Sequence, residues 1–191
     1  MISQAAIFLI TTVGGLFTLA LLLRFILQLL RAPARNQLSE FLNAVTNFMV
    51  RPARRAIPGL WGLDLATLTL AWLTEVLQIW AVLMIKGYEF GPAVGAALVA
   101  LAALAAIELV KIVIYVVMVA VVMQAVLSWI NPYSPLAPLL AGMTRPFLGP
   151  LQRRVPTIAN VDLSPLIVLI VCQLLLTVPL AWLETLAGRL L

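Results

Sequence analysis

"RPARRAIPGLWGLDL" (residues 51–65) and "GPLQRRVPTIANVDL" (residues 149–163) are two copies of one pattern. At an offset of 98, Pro52 falls on Pro150, Arg55 on Arg153, Ile57 on Val155, Pro58 on Pro156, and Asp64-Leu65 on Asp162-Leu163. A chain that is 64% hydrophobic thus sets out its prolines and arginines twice in the same order. Each copy reads as a corner between two apolar segments, and the fold as a duplication.

Composition gives those corners a setting. The 191 residues have a mean hydropathy of +1.13 and only 10% charged side chains, against about a quarter in soluble domains. This is the composition of an integral membrane protein. The net charge of +5 raises the question of nucleic acid. The arginines answer it, because Arg31, Arg35, Arg51, Arg54 and Arg55 share one stretch and Arg145, Arg153 and Arg154 another, which is the pattern of cytoplasmic loops. No aromatic or motif context accompanies them, so no nucleic-acid partner is expected.

The opening "MISQAAIFLITTVGG" carries no Lys or Arg, and the apolar run that follows is closed by Arg31 and Arg35. It reads as a retained first span with its N-terminus outside, not as a cleaved leader. Cys172 is the single cysteine and histidine is absent. Disulfide, metal, haem-ligand and nucleophile-plus-base chemistry therefore lack their side chains, and neither a metal, a cofactor nor enzymatic activity is expected.

Crossing about 30 Å of hydrocarbon takes roughly 20 helical residues. Four segments meet this length: 6–30, 65–85, 109–130 and 165–187. Asp64 is placed to cap the second, and Ser164 followed by Pro165 reads as an N-cap with proline at the first helical position. Trp129 and Trp182 fall near membrane interfaces, where indole rings are favoured. The stretch 92–107 is short for a span and runs on through "ELVK" without a turn residue. It is read as an extension of the third helix or a helix at the outer interface, since a fifth span would leave three arginines outside.

The expected fold class is an all-α membrane protein with four transmembrane helices, arranged as two parallel repeats at residues 1–90 and 91–191. Each repeat is a helix, a basic amphipathic loop and a second helix. Leu22 to Gln28 align with Val122 to Ser128 at an offset of 100, so the second loop is two residues shorter. The repeats are then related by an axis along the membrane normal. In the first loop, Leu38, Phe41, Leu42, Val45, Phe48 and Met49 recur at helical spacing opposite Ser39, Glu40, Asn43 and Asn47. This predicts an amphipathic helix in the headgroup layer, ended by the prolines. Its counterpart keeps Leu139, Leu140, Met143 and Phe147 but has more prolines, so a shorter helix is expected.

At "LSWINPYSPLAPLLAGMTRPFLGPLQRRVPTIANVDLSP" and the looser upstream copy "LNAVTNFMVRPARRAIPGLWGLDL", the sequence resembles the YggT family of bacterial and plastid membrane proteins. The likeness covers both repeats. The first copy departs at Ala66-Thr67, where the second has Ser164-Pro165, and at Asn47-Phe48, where the second has Arg145-Pro146. For bacterial members the resemblance implies a link to osmotic-stress tolerance and ion balance. For plastid relatives it implies roles in haem attachment to a b-type cytochrome and in nucleoid distribution. It supplies no catalytic residues, and it implies a helper of membrane organisation in the bacterial inner membrane.

Within the spans, Glu75 stands about 16 Å along the helix from Asp64. An acid at that depth costs about 2.5–3.5 kcal/mol on insertion scales, so it needs a partner inside the bundle. Arg24 on the first span is the expected partner, mirrored in the second repeat by a contact of Gln124 with Gln173. The functional reading of this pair is an ion or proton site, and the structural reading a clamp between helices. Glu108 and Lys111 are expected to pair near the outer interface. Asp64 and Asp162 read as caps, with no second acid, His or Cys beside them. The arginines Arg51, Arg54, Arg55, Arg145, Arg153 and Arg154 have three readings: they hold the loops inside; they are expected to bind anionic lipid headgroups at about 1 kcal/mol each; and with the rigid prolines they are expected to offer a face to a membrane or cytoplasmic protein. The rival to an organising role is a small ion-permeation protein, which would need a homo-oligomer to enclose a pore.

Overall fold

The computed structural model describes residues 1–30, 36–59, 63–88, 94–131, 133–154 and 162–191. Arg31, Arg35, Pro92, Val155 and Pro156 lie outside the described residues. The described chain forms α1 (Ile2–Leu29), α2 (Gln37–Ala56), α3 (Leu65–Ile85), α4 (Val94–Ile130), α5 (Ala137–Gln152), α6 (Ser164–Leu175) and α7 (Ala181–Gly188). A π-helical turn, Leu176–Leu180, joins α6 to α7. Pro179 within it has no N–H to donate and its ring displaces the carbonyl four residues back, so the ladder widens there instead of breaking.

Among the described residues, four helices are long and apolar enough to cross a membrane: Ile2–Leu29, Leu65–Ile85, Val94–Ile130 and Ser164–Gly188. The protein is a multi-pass helical membrane protein. The stretch 94–107 continues unbroken into the third span, resolving the choice in favour of an extension. At 37 residues, α4 is about 56 Å long, nearly twice the hydrocarbon thickness. Such a helix must tilt or project, and its alanine-rich first half (Ala97, Ala100 and Ala105 all buried) permits the close packing that a crossing helix needs.

The repeat is visible in the packing. The helix α1 lies against α3, and α4 lies against α6 and α7; α2 sits against α1 and α3 as α5 sits against α4 and α6. Helices α3 and α4 join the two halves. One core layer gathers Leu27 and Leu42 with Val116, Ala120, Leu140 and Met143, so both amphipathic helices are built into the same end of the bundle.

Asn36 caps α2 by accepting a hydrogen bond from the Ser39 amide at 2.7 Å. The expectation that prolines end this helix is corrected in part. The helix runs through Pro52 and stops at Ala56, where Ile57 is extended at φ −117° and ψ 98°. Pro52 lies on the exposed side. Pro58 is the terminator, because its ring excludes helical backbone at the residue before it. Helix α5 likewise runs through Pro146 and Pro150, and is shorter, 16 residues against 20. The two faces of α2 part company: Leu42, Thr46 and Val50 are buried in the protein, while Phe41, Val45 and Phe48 form an exposed apolar stripe. Ser164 is corrected from cap to first helical residue, with Leu163 at the cap position and Asp162 serving the Ser164 amide.

Candidate functional site

Polar side chains are few enough that each contact within the bundle matters, and they fall into three levels.

The first level ties α1 to α2, and α4 to α5. Arg24 Nη1 donates to Thr46 Oγ1 at 2.7 Å and to Asn47 Oδ1 at 3.0 Å. The Thr46 hydroxyl in turn donates to the Leu42 carbonyl at 2.6 Å. In the second repeat the Thr144 hydroxyl hydrogen-bonds the Gln124 side chain and the Leu140 carbonyl, the latter at 2.9 Å. Both threonines are fully buried. The expected Arg24–Glu75 pair is therefore corrected: Arg24 turns to the amphipathic helix. Its supposed mirror fails with it, since Gln124 meets Thr144 and Gln173 is exposed. The reason is depth. Arg24 lies about 8 Å from the end of α1, whereas Glu75 lies about 15 Å inside α3.

The second level is the corner. Arg54 Nη2 stands 2.5 Å from Asp64 Oδ2, with Nε 3.2 Å from the same oxygen. Asp64 also accepts from the Thr67 amide at 3.4 Å and the Thr67 hydroxyl at 2.5 Å, so it caps α3 while bound to α2. Its side chain is only 4% exposed. Burial disfavours the charge, but the Arg54 guanidinium and the Thr67 donors outweigh it and hold the carboxyl below its ordinary value. At the equivalent positions, Gln152 Nε2 donates to Asp162 Oδ2 at 2.8 Å, and Asp162 Oδ1 accepts from the Ser164 amide at 2.8 Å. Asp162 too is held below the ordinary carboxylate value: its partial burial opposes the charge, and the donors at Ser164 and Gln152 prevail.

The third level lies deeper. Glu75, 7% exposed, accepts from Gln78 Nε2 at 3.1 Å, and Gln78 reaches the Thr18 hydroxyl at 3.2 Å. Gly14 makes room, since a Cβ there would stand 2.5 Å from the Gln78 side chain. Lys111 bonds Glu108 at 2.9 Å, as the spacing predicts, and also Glu184 at 2.6 Å across to α7. Sequence reasoning missed Glu184, Thr46 and Thr144. Glu184 was findable as an acid in an apolar helix with no base within a turn. A threonine on an amphipathic face gives no comparable signal.

Arg51, Arg55, Arg145, Arg153 and Arg154 are exposed at the bundle end that holds α2 and α5. Among the described residues none of them meets a carboxylate within ion-pair range. Beside this end an apolar groove of about 660 Å³ runs between α1, α4 and α5, walled by Leu19, Leu23, Val116, Ala120, Leu139 and Met143.

These features define a class: a helical multi-pass membrane protein of two repeats, each pinning an amphipathic helix to its spans through buried polar contacts. The CCB3/YggT family model matches residues 3–85 and again 103–183, and the chain belongs to that family. It is 34% identical over 174 residues to PA0392 of Pseudomonas aeruginosa, described as an uncharacterized protein, covering 91% of this chain and 87% of that one. It is 28% identical over 163 residues to the uncharacterized protein YggT of Escherichia coli K12, covering 85% and 82%. No solved structure matches.

Proposed function

We propose that this protein is a non-enzymatic organiser of the bacterial inner membrane, whose arginine-bearing end faces the cytoplasm and binds anionic lipid headgroups and a partner protein. One observation carries the reading. Two amphipathic helices lie at the same end of the bundle, α2 presents the exposed stripe Phe41, Val45 and Phe48 beside exposed arginines, and both helices are tethered to the spans by buried threonines. Apolar side chains dipping into the acyl region beneath a basic surface are the physical requirements for headgroup-level binding. The paired proline corners add a rigid surface that a protein partner can meet at low entropic cost. Both chain termini then face outward, and the osmotic-stress link implied by the family fits an organising role.

The test is reconstitution of the purified protein into nanodiscs of zwitterionic lipid with and without an anionic component. The reading expects higher thermal stability with the anionic lipid, and loss of most of that gain when Arg51, Arg55, Arg153 and Arg154 are replaced by Gln. Equal stability in both lipids contradicts it.

A second reading is ion permeation through an oligomer, favoured by the buried Glu75–Gln78–Thr18 set and by Lys111 bridging two carboxylates between spans. Cation flux in liposomes that vanishes with Glu75→Gln supports it; no flux above empty liposomes rejects it.

A further inference from the structure

The first repeat gathers charge at a place where the second does not. Asn47, Arg51 and Arg54 stand at i, i+4 and i+7 on α2 and so share one face of that helix. Arg24 docks on the same face through Asn47 and Thr46, where the positive charges of Arg54 and Arg51 oppose its own and the carboxylate of Asp64 offsets them in part. The acid present, Asp64, is engaged by Arg54 and Thr67. Among the described residues no carboxylate lies within ion-pair range of Arg24. Three arginines against one aspartate leave a net charge of 3 − 1 = +2. The equivalent set in the second repeat is Gln124, Arg145, Gly149, Gln152 and Asp162, with a net charge of 1 − 1 = 0.

A guanidinium projecting from a membrane-spanning helix is costly without a counter-charge. The cost falls when its stem lies along apolar surface and its head reaches the interface. Arg24 is about 8 Å from the end of α1, within reach of the layer that α2 occupies. Its contacts to Thr46 and Asn47 are neutral, so they fix its orientation without cancelling its charge. A lipid phosphate lies in that layer, and a planar guanidinium binds it through paired N–H donors.

We propose that Arg24 and Arg51, with Asn47 between them, form a saturable site in the first repeat for the phosphate of an anionic phospholipid, and that the second repeat has no such site. This rests on the lipid-binding reading and sharpens it from a basic surface to one built position.

Full-length protein in zwitterionic detergent is titrated with phosphatidylglycerol or phosphatidylcholine, and bound lipid is counted by native mass spectrometry. The wild type is expected to retain one phosphatidylglycerol preferentially. Arg24→Gln installs the residue of the second repeat, which can keep the threonine hydrogen bond, and is expected to weaken that binding about tenfold or more. Arg51→Gln, on the exposed face of α2, gives an independent reading with a several-fold loss expected. Arg145→Gln with Arg153→Gln and Arg154→Gln should leave this first lipid in place. Phosphatidylglycerol held no better than phosphatidylcholine by the wild type overturns the lipid reading itself. Preferential binding unaffected by Arg24→Gln and Arg51→Gln overturns only this site. Competition by inorganic phosphate or glycerol phosphate as effective as by the lipid shows a soluble anion site and overturns the lipid as occupant.

Discussion

The two repeats make the same contacts with different charges. Where the first joins its opening span to the amphipathic helix by Arg24 and Thr46, the second uses Gln124 and Thr144. Where the first closes its corner by Arg54 and Asp64, the second uses Gln152 and Asp162. A neutral amide thus satisfies the same geometry on the same backbone. The second repeat therefore closes the same contacts without the charges of the first, and the hydrogen bonds are what the two share. What the charges add is a local positive cluster where Arg24 meets α2, beyond the exposed arginines that both repeats carry at that end.

The largest effect expected is on the threonines. Thr46→Val preserves shape and removes the hydroxyl, leaving a half-buried guanidinium short of an acceptor, at a cost of about 2–3 kcal/mol; Thr144→Val strands only a neutral amide, at about 1 kcal/mol. Thermal unfolding in one detergent checks the order, and equal losses would remove the distinction between charged and neutral tethers.

Next comes the corner. Because the folded-state pKa of Asp64 is depressed, its contribution is present above the ordinary carboxylate value and is lost as pH falls below about 4 toward the folded value. Arg54 is 45% exposed, so the ion pair is screened and Arg54→Gln is expected to cost only about 0.5–1 kcal/mol at neutral pH. It should also make the acid dependence at this corner resemble that of Asp162. Unfolding followed between pH 3 and 7 tests this. An unchanged acid profile would mean that Thr67, not Arg54, sets the behaviour of Asp64.

The smallest effect belongs to the helix contact of the first repeat. Gly14→Ala pushes the Gln78 side chain off Thr18, and because that chain can swing aside the loss should stay below about 1 kcal/mol. Gly15→Ala meets nothing within 4 Å and is expected to be neutral or slightly stabilising.

Much of this architecture was legible because it is local. Span length, the amphipathic face of α2 and the Asp64 cap depend on spacing along one helix, and the duplicated corner on a simple offset. The tertiary pairing of Arg24 was not legible. A comparison of axial depth from the helix ends matches Glu75 with Thr18, about 16 Å inside α1, better than with Arg24. Opposite charge is a weaker guide to pairing in this bundle than axial depth. Proline is ambiguous in the same way, since an exposed ring such as that of Pro52 lets a helix continue, whereas Pro58 acts through the residue before it.

The most direct test of the central claim, that the first repeat's charges serve binding and its hydrogen bonds serve the fold, is thermal unfolding of the Arg24→Gln, Arg54→Gln double variant in zwitterionic and in anionic nanodiscs. The account predicts a stability within about 1 kcal/mol of wild type in zwitterionic lipid, and loss of the part of the anionic-lipid stabilisation that the Arg24 site supplies, the exposed arginines supplying the rest. A variant that unfolds readily in zwitterionic lipid, or keeps the full anionic gain, would contradict it.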